Sequence, residues 1–250
     1  MTDPITKLIK QNVNQMSRNY CILCVSAVGL GKTYSMIKLA LNVDPTFNVK
    51  RIIFSIPELL EMVHEGKVEP GQAILFDEAG ISASNRESYM NKFNKAMSFL
   101  LQTWRHRQII LFVTCPSIMF LDKGVRSMFD MIIEPKKIVK SRKVVQCAAR
   151  LVQHNHQMGK TYYHNLKTTS GEVLKLEISK PPLRLTNSYE KKKTAFTTEL
   201  YKEQMAMLTD TGTEEKKDIR RCGECSSLMT QYRKTDNTMY CRQCGHEWKK

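Results

Sequence analysis

The sequence predicts an α/β protein: a largely parallel sheet, an antiparallel β appendage and a small cysteine-rich module at the end of the chain. Three observations carry that expectation. Apolar, β-branched runs alternate with helical patterns through residues 1–135, as in a parallel sheet covered on both faces. Alternating runs separated by short turns follow to Ser179. Two Cys-x2-Cys pairs with fifteen residues between them close the chain.

An amphipathic helix comes first, with Ile5, Leu8, Ile9, Val13 and Met16 on one face. Tyr20 to Val25 is an apolar strand, and Met36, Ile37, Ala40 and Leu41 mark one side of the helix after it. Asp44-Pro45 breaks that helix, and Lys50 to Ser55 reads as the next strand. Pro57 opens a short helix from Glu58 to Glu65, and Pro70-Gly71 turns the chain into the strand Ala73 to Phe76. From Glu87 to Thr103 a helix turns Phe93, Ala96, Met97, Leu100, Leu101 and Trp104 inward. Gln108 to Thr114 is a fourth strand; Asp130 to Glu134, after a short helix around Val125, is a fifth. Lys143 to Ser179 repeats strand and turn, Pro181-Pro182 ends the sheet, and Tyr189 to Leu208 returns as a helix.

The loop between the first strand and its helix is Ser26-Ala27-Val28-Gly29-Leu30-Gly31-Lys32-Thr33, the strand–loop–helix order of a phosphate cradle. Its glycines let successive N–H groups point at phosphate oxygens, at the positive end of the helix dipole. Lys32 is expected on the β- and γ-phosphates and the Thr33 hydroxyl on magnesium, with Tyr34 completing the nucleotide-contacting stretch. Ser26 stands where the motif begins with glycine, which negative φ permits. About 40 residues on, the strand ending in Asp77-Glu78 supplies the acids such a site needs: Asp77 to hold magnesium, Glu78 to polarise the attacking water. Two acids also mark the solvated end of an ordinary strand. Together the motifs predict a P-loop NTPase core that binds and hydrolyses ATP. Gly159-Lys160-Thr161 repeats part of the motif between alternating runs and reads as a hairpin turn.

Within this class, residues 20–135 resemble the FtsK–HerA motors and the Zot-like ATPases of filamentous-phage morphogenesis. The resemblance rests on Gly31-Lys32-Thr33-Tyr34-Ser35, Asp77-Glu78-Ala79, Arg105-His106-Arg107 before Ile109 to Thr114, and Leu121-Asp122 followed by Arg126. It implies the additional-strand type of sheet with the phosphate-loop strand near its centre, oligomeric action in a homo-oligomer such as a ring, and ATP-driven work on DNA. It also implies that Thr114 senses the γ-phosphate, although an ordinary strand-end threonine looks the same in sequence. An arginine acting in trans is worth about 10³–10⁵ in rate; Arg86, Arg105, Arg107 and Arg126 are the candidates, and Arg126 matches the family pattern, as would a helix-surface arginine contacting solvent or DNA. Zot-like proteins usually carry a membrane segment, which this sequence lacks.

The 250 residues carry a formal net charge of +15, unevenly spread. Residues 1–135 hold 15 Lys/Arg and 12 Asp/Glu; residues 136–250 hold 24 and 12. That asymmetry points to a polyanionic partner, nucleic acid and DNA before RNA, although solvated lysines look the same in sequence. The run Lys136-Lys137-Ile138-Val139-Lys140-Ser141-Arg142-Lys143 is its densest part, expected to grip DNA apart from the nearly neutral nucleotide half. No apolar run reaches the ~18 residues of a membrane span, and no signal core is present, so a cytoplasmic, intracellular protein is expected.

Cys222, Cys225, Cys241 and Cys244 have the spacing of a tetrahedral zinc ribbon, whose metal would stabilise a segment too short for its own core. Cys21 and Cys24 share the spacing but lie on a strand and read as core. His154, His156 and His164 lack ligand spacing and read as exposed polar residues. The expected organisation is a P-loop ATPase core (1–135), a basic β-rich extension and helix (136–208), a linker (209–221) and the ribbon (222–250). The expected function is an ATP-driven oligomeric motor acting on DNA by translocation, packaging or helicase-like work. The alternative is an ATP-controlled nucleic-acid-binding switch or scaffold that moves nothing.

Overall fold

The computed structural model describes residues 3–77, 86–104, 107–168, 170–210, 221–233 and 236–249. The chain divides into two compact units, Met1–Lys202 and Glu203–Lys250.

In the first unit, α1 (Pro4–Gln15) starts where the Asp3 carboxylate accepts from the backbone N–H groups of Ile5 and Thr6. Ile5, Ile9 and Val13, four residues apart, are buried. Met16 lies beyond the helix and is exposed, because Ser17 turns the chain with φ 46°. β1 (Tyr20–Val25) leads through the phosphate loop into α2 (Lys32–Val43). The strand expected over residues 50–55 shrinks to β2 (Ile52–Ile53), since a 3-10 turn over Val49–Arg51 rolls Arg51 inward onto buried Asp44. α3 (Ile56–His64) is capped by Ser55, and β3 (Ala73–Phe76), α4 (Arg86–Thr103), β4 (Ile110–Cys115) and the single-turn α5 (Lys123–Arg126) follow.

β5 is longer than the expected 130–134. It spans Met131–Val139, with an irregularity between Pro135 and Lys137 where proline has no N–H to give the ladder. β6 (Val144–Asn155), β7 (Lys160–Asn165) and β8 (Lys175–Ser179) complete the sheet, and α6 (Leu183–Asp210) begins after Pro181-Pro182.

The strands form one sheet in the order β2-β3-β4-β1-β5-β6-β7, with β8 paired to β6. β2 to β5 run parallel through β1, whereas β6 is antiparallel to β5, β7 and β8. β4 therefore lies between the phosphate-loop strand and the acid-bearing strand, and β1 is central. This is a P-loop NTPase-like architecture whose antiparallel strands continue the same sheet. Alternation along β1 sends Ile22 and Cys24 into a core with α1 and α2, and Cys21 and Leu23 into a second core with α3 and α4.

In the second unit β9 (Thr230–Arg233), β10 (Thr238–Cys241) and β11 (Glu247–Lys249) form a three-stranded antiparallel sheet in the order β11-β10-β9.

Candidate functional site

Parallel strands deliver their C-terminal ends to one edge of the sheet, and the phosphate loop follows β1 at that edge. Gly29 and Gly31 hold φ 83° and 80°, values that side chains resist, so glycine is required at both. Gly31 caps α2 without any side-chain hydrogen bond, and a Cβ there would come within 3.1 Å of Val145. The Lys32 ammonium folds back over the loop and donates to the carbonyls of Ser26 (2.7 Å) and Ala27 (2.9 Å). Val28 is 88% exposed at the loop tip.

Asp77 is the hub. It follows β3 directly, is 1% exposed, and its backbone N–H donates to the Ile53 carbonyl. Its Oδ1 accepts from the Thr33 hydroxyl and from the Thr114 hydroxyl, each at 2.8 Å. Its Oδ2 accepts from the Tyr189 hydroxyl at 2.7 Å and lies 3.4 Å from the Lys193 ammonium. The inserted strand β4 is what brings Thr114 to this carboxylate. Two hard oxygen donors, Thr33 and Asp77, thus sit together beside an uncapped helix N-terminus, a donor set that suits magnesium and a phosphate chain.

Tyr189 and Lys193 escaped the sequence reading. They lie one turn apart on α6, 112 and 116 residues from Asp77. The only trace is an aromatic beside the charged run Glu190-Lys191-Lys192-Lys193, which resembles a solvated helix face. That turn touches the site at several points. Glu190 accepts from the Tyr34 hydroxyl at 2.5 Å, and Lys192 pairs with Glu58. Burial and the Glu190 hydrogen bond push the Tyr34 hydroxyl up to about 12, keeping it a donor. Tyr34 and Tyr189 meet edge to face, and Phe54 stacks on Phe196 at 4.9 Å.

Glu78 and Arg105 lie outside the described residues, as does the side chain of Arg86. Arg107 donates to the Val63 carbonyl, and Arg126 Nε donates to the Leu121 carbonyl at 2.6 Å. The structure joins Thr33, Asp77 and Thr114 and directs these two arginines elsewhere within the chain.

Part of the basic run lies beside the start of α2. Lys140, Lys143 and Lys180 line a cavity of about 400 Å³ with Gly31, Tyr34, Ser35, Val144 and Val145. Lys136 is paired with Glu134, and Arg142 with Glu177 at 2.8 Å.

In the second unit, the sulfurs of Cys222, Cys225, Cys241 and Cys244 all lie within 4.8 Å of one another, and the quartet could hold a metal ion. Cys222–Cys244 and Cys225–Cys241 are 3.5 and 3.6 Å apart. A tetrahedral zinc with Zn–S of about 2.3 Å separates its sulfurs by about 3.8 Å, so the quartet fits. The Cys244 backbone N–H, first among its neighbours, draws the Cys241 thiol down to about 7. Among the described residues this is the one cluster of three or more such ligands. His154 and His156 instead meet edge to face at 4.8 Å, and His164 bonds Gln153. Cys21 and Cys24 are buried core residues. No described helix is long and apolar enough to cross a membrane.

No protein-family model and no curated protein matches the chain. Among solved structures, it is similar to the N-terminal domain of zonular occludens toxin from Neisseria meningitidis, at 15% identity and a TM-score of 0.35, covering 60% of this chain and 96% of that one. The genome packaging NTPase B204 from Sulfolobus turreted icosahedral virus 2, in complex with ATP-gammaS, matches at 11% identity and 0.34, covering 60% of this chain and 98% of that one. EssC (ATPases 2 and 3) from Geobacillus thermodenitrificans matches at 8% identity and 0.37, covering 74% of this chain and 45% of that one. At these scores the likenesses bear no weight on activity.

Proposed function

We propose that this chain binds ATP with magnesium, hydrolyses it, and works as a homo-oligomeric motor on DNA. The observation that carries the reading is the Asp77 carboxylate shared by Thr33 of the phosphate loop and Thr114 of the inserted strand. In this reading Lys32 holds the β- and γ-phosphates, Thr33 and Asp77 hold magnesium, Glu78 takes the proton of the attacking water, and Thr114 fixes the Asp77 oxygen that faces the loop. Magnesium supplies charge neutralisation at the phosphates. Arg126 of a neighbouring copy is the proposed arginine in trans. The charge excess of residues 136–250 supports DNA as partner, and the cysteine quartet supports zinc as the resident metal of the second unit.

A second reading, an ATP-controlled switch or scaffold without translocation, is favoured by the contacts of α6 with Asp77 and Tyr34, which tie a helix to the nucleotide site. ATP turnover and the oligomer's mass, measured with and without single- and double-stranded DNA, separate the two. The motor should turn over ATP faster on DNA, and Lys32→Ala should lose tight ATP binding while remaining folded. Unchanged nucleotide affinity in that variant would remove the phosphate-loop assignment. Turnover indifferent to DNA would leave the switch.

A further inference from the structure

The turn of α6 from Tyr189 to Lys193 has no part in the catalytic roles given so far, yet among the described residues it supplies two partners of Asp77 Oδ2. The two partners differ in kind. Tyr189 is 2% exposed and held by its ring against Tyr34 and Phe54, so its hydroxyl is fixed at 2.7 Å. Lys193 keeps 24% of its side chain exposed, contacts Asp77 at 3.4 Å and lies over the Tyr189 ring, 5.7 Å from its centroid. A lysine ammonium on a flexible four-carbon stem can change partner where a buried tyrosine cannot.

Asp77 also borders the proposed magnesium position through Thr33. A divalent cation there weakens the hold of Asp77 on Lys193 with either nucleotide, by like-charge repulsion, so the presence of a γ-phosphate decides where the ammonium rests. The γ-phosphate, held by Lys32 in the reading above, would offer that ammonium a more highly charged acceptor. We infer that Lys193 is a γ-phosphate-sensing residue supplied by α6 within the same chain: with ATP it leaves Asp77 for a γ-phosphate oxygen, and with ADP it stays on Asp77. This rests on the nucleotide-site reading above and adds to it a residue that distinguishes the two nucleotides.

The test is affinity, not turnover. Binding of ADP and of a non-hydrolysable ATP analogue is measured with magnesium on wild type, Lys193→Met, Lys193→Arg and Lys32→Ala of the full chain. Loss of one charge-assisted hydrogen bond predicts that Lys193→Met weakens the ATP analogue by about tenfold to a hundredfold and leaves ADP unchanged. Lys193→Arg, which keeps the charge, should recover most of the preference for the triphosphate. Equal loss of both nucleotides in the Met and Arg variants would make Lys193 a structural strut and overturn the inference, as would no change in either. The Lys32→Ala arm keeps the two readings apart. If its loss leaves analogue affinity intact, the phosphate-loop reading fails; if binding depends on Lys32 and ignores Lys193, this inference alone fails.

Discussion

Asp77 carries a different load on each oxygen, two threonine hydroxyls on one and Tyr189 with Lys193 on the other. The sequence made Thr33 and Asp77 legible because a phosphate loop and an acid-tipped strand are local patterns, each contained in fewer than ten residues. Thr114 was legible only through a resemblance, and Tyr189 and Lys193 not at all, because nothing local distinguishes a helix face turned to a carboxylate from one turned to water. In the proposed mechanism, the acid beside Asp77 is where binding and chemistry separate. Glu78→Gln keeps the size and one hydrogen-bonding group and removes the base, so ATP should bind with near wild-type affinity and persist uncleaved. General-base assistance is worth about 10²–10⁴ in rate, and single-turnover measurement of bound ATP reads that drop directly. Near-normal turnover would assign the water to another residue and strengthen the switch reading.

At the scale of elements, the first sheet edge depends on a polar tie. Asp44, at the end of α2, accepts from the backbone N–H groups of Thr46 and Ala73, from the Thr46 hydroxyl, and from the buried Arg51 guanidinium. It thereby joins α2, the 3-10 turn and the start of β3. The sequence showed Asp44-Pro45 as a helix stop and missed the tie, so it drew a six-residue strand where Arg51 turns inward instead. The course of β5 past Pro135 was hidden similarly: the strand's partner is β6, and a ladder sets its length better than composition does. Burial pushes the Asp44 carboxyl up, but the Ala73 N–H, the Thr46 hydroxyl and Arg51 outweigh it and hold it below the usual carboxylate range. A carboxyl depressed in the folded state stabilises above its unfolded value of about 3.9, and that contribution is lost as pH falls through the folded value. Asp44→Asn leaves Arg51 buried without its counter-charge, at a cost of about 3–5 kcal/mol near neutrality. Denaturant melts across pH should show the gap to wild type widest above pH ~5 and closing below pH ~4. A gap independent of pH would show that the packing, and not the charge, matters there.

For the whole molecule, the charge excess of residues 136–250 was visible in composition, but where it lies was not. Lys136 and Arg142 are already paired with Glu134 and Glu177, which leaves Lys137, Lys140 and Lys143 as the run's uncompensated charges among its described ion pairs. Two of these, Lys140 and Lys143, border the cavity beside Gly31 and Tyr34, next to the proposed nucleotide site. The expected division into a nucleotide half and a DNA half is directly testable at this run. Two double variants resolve it: Lys136→Gln with Lys137→Gln, and Lys140→Gln with Lys143→Gln. If the run grips DNA, each pair should weaken binding across all sequences and lower the salt slope by about 0.9 for every DNA phosphate the variant no longer neutralises. Only the second pair should also weaken ATP, and DNA stimulation of turnover should fall in both, since coupling needs both ligands on one assembly. An unchanged salt slope in both variants would make the run a solvated surface for DNA, and the grip would then have to come from the second unit or from surfaces formed between copies.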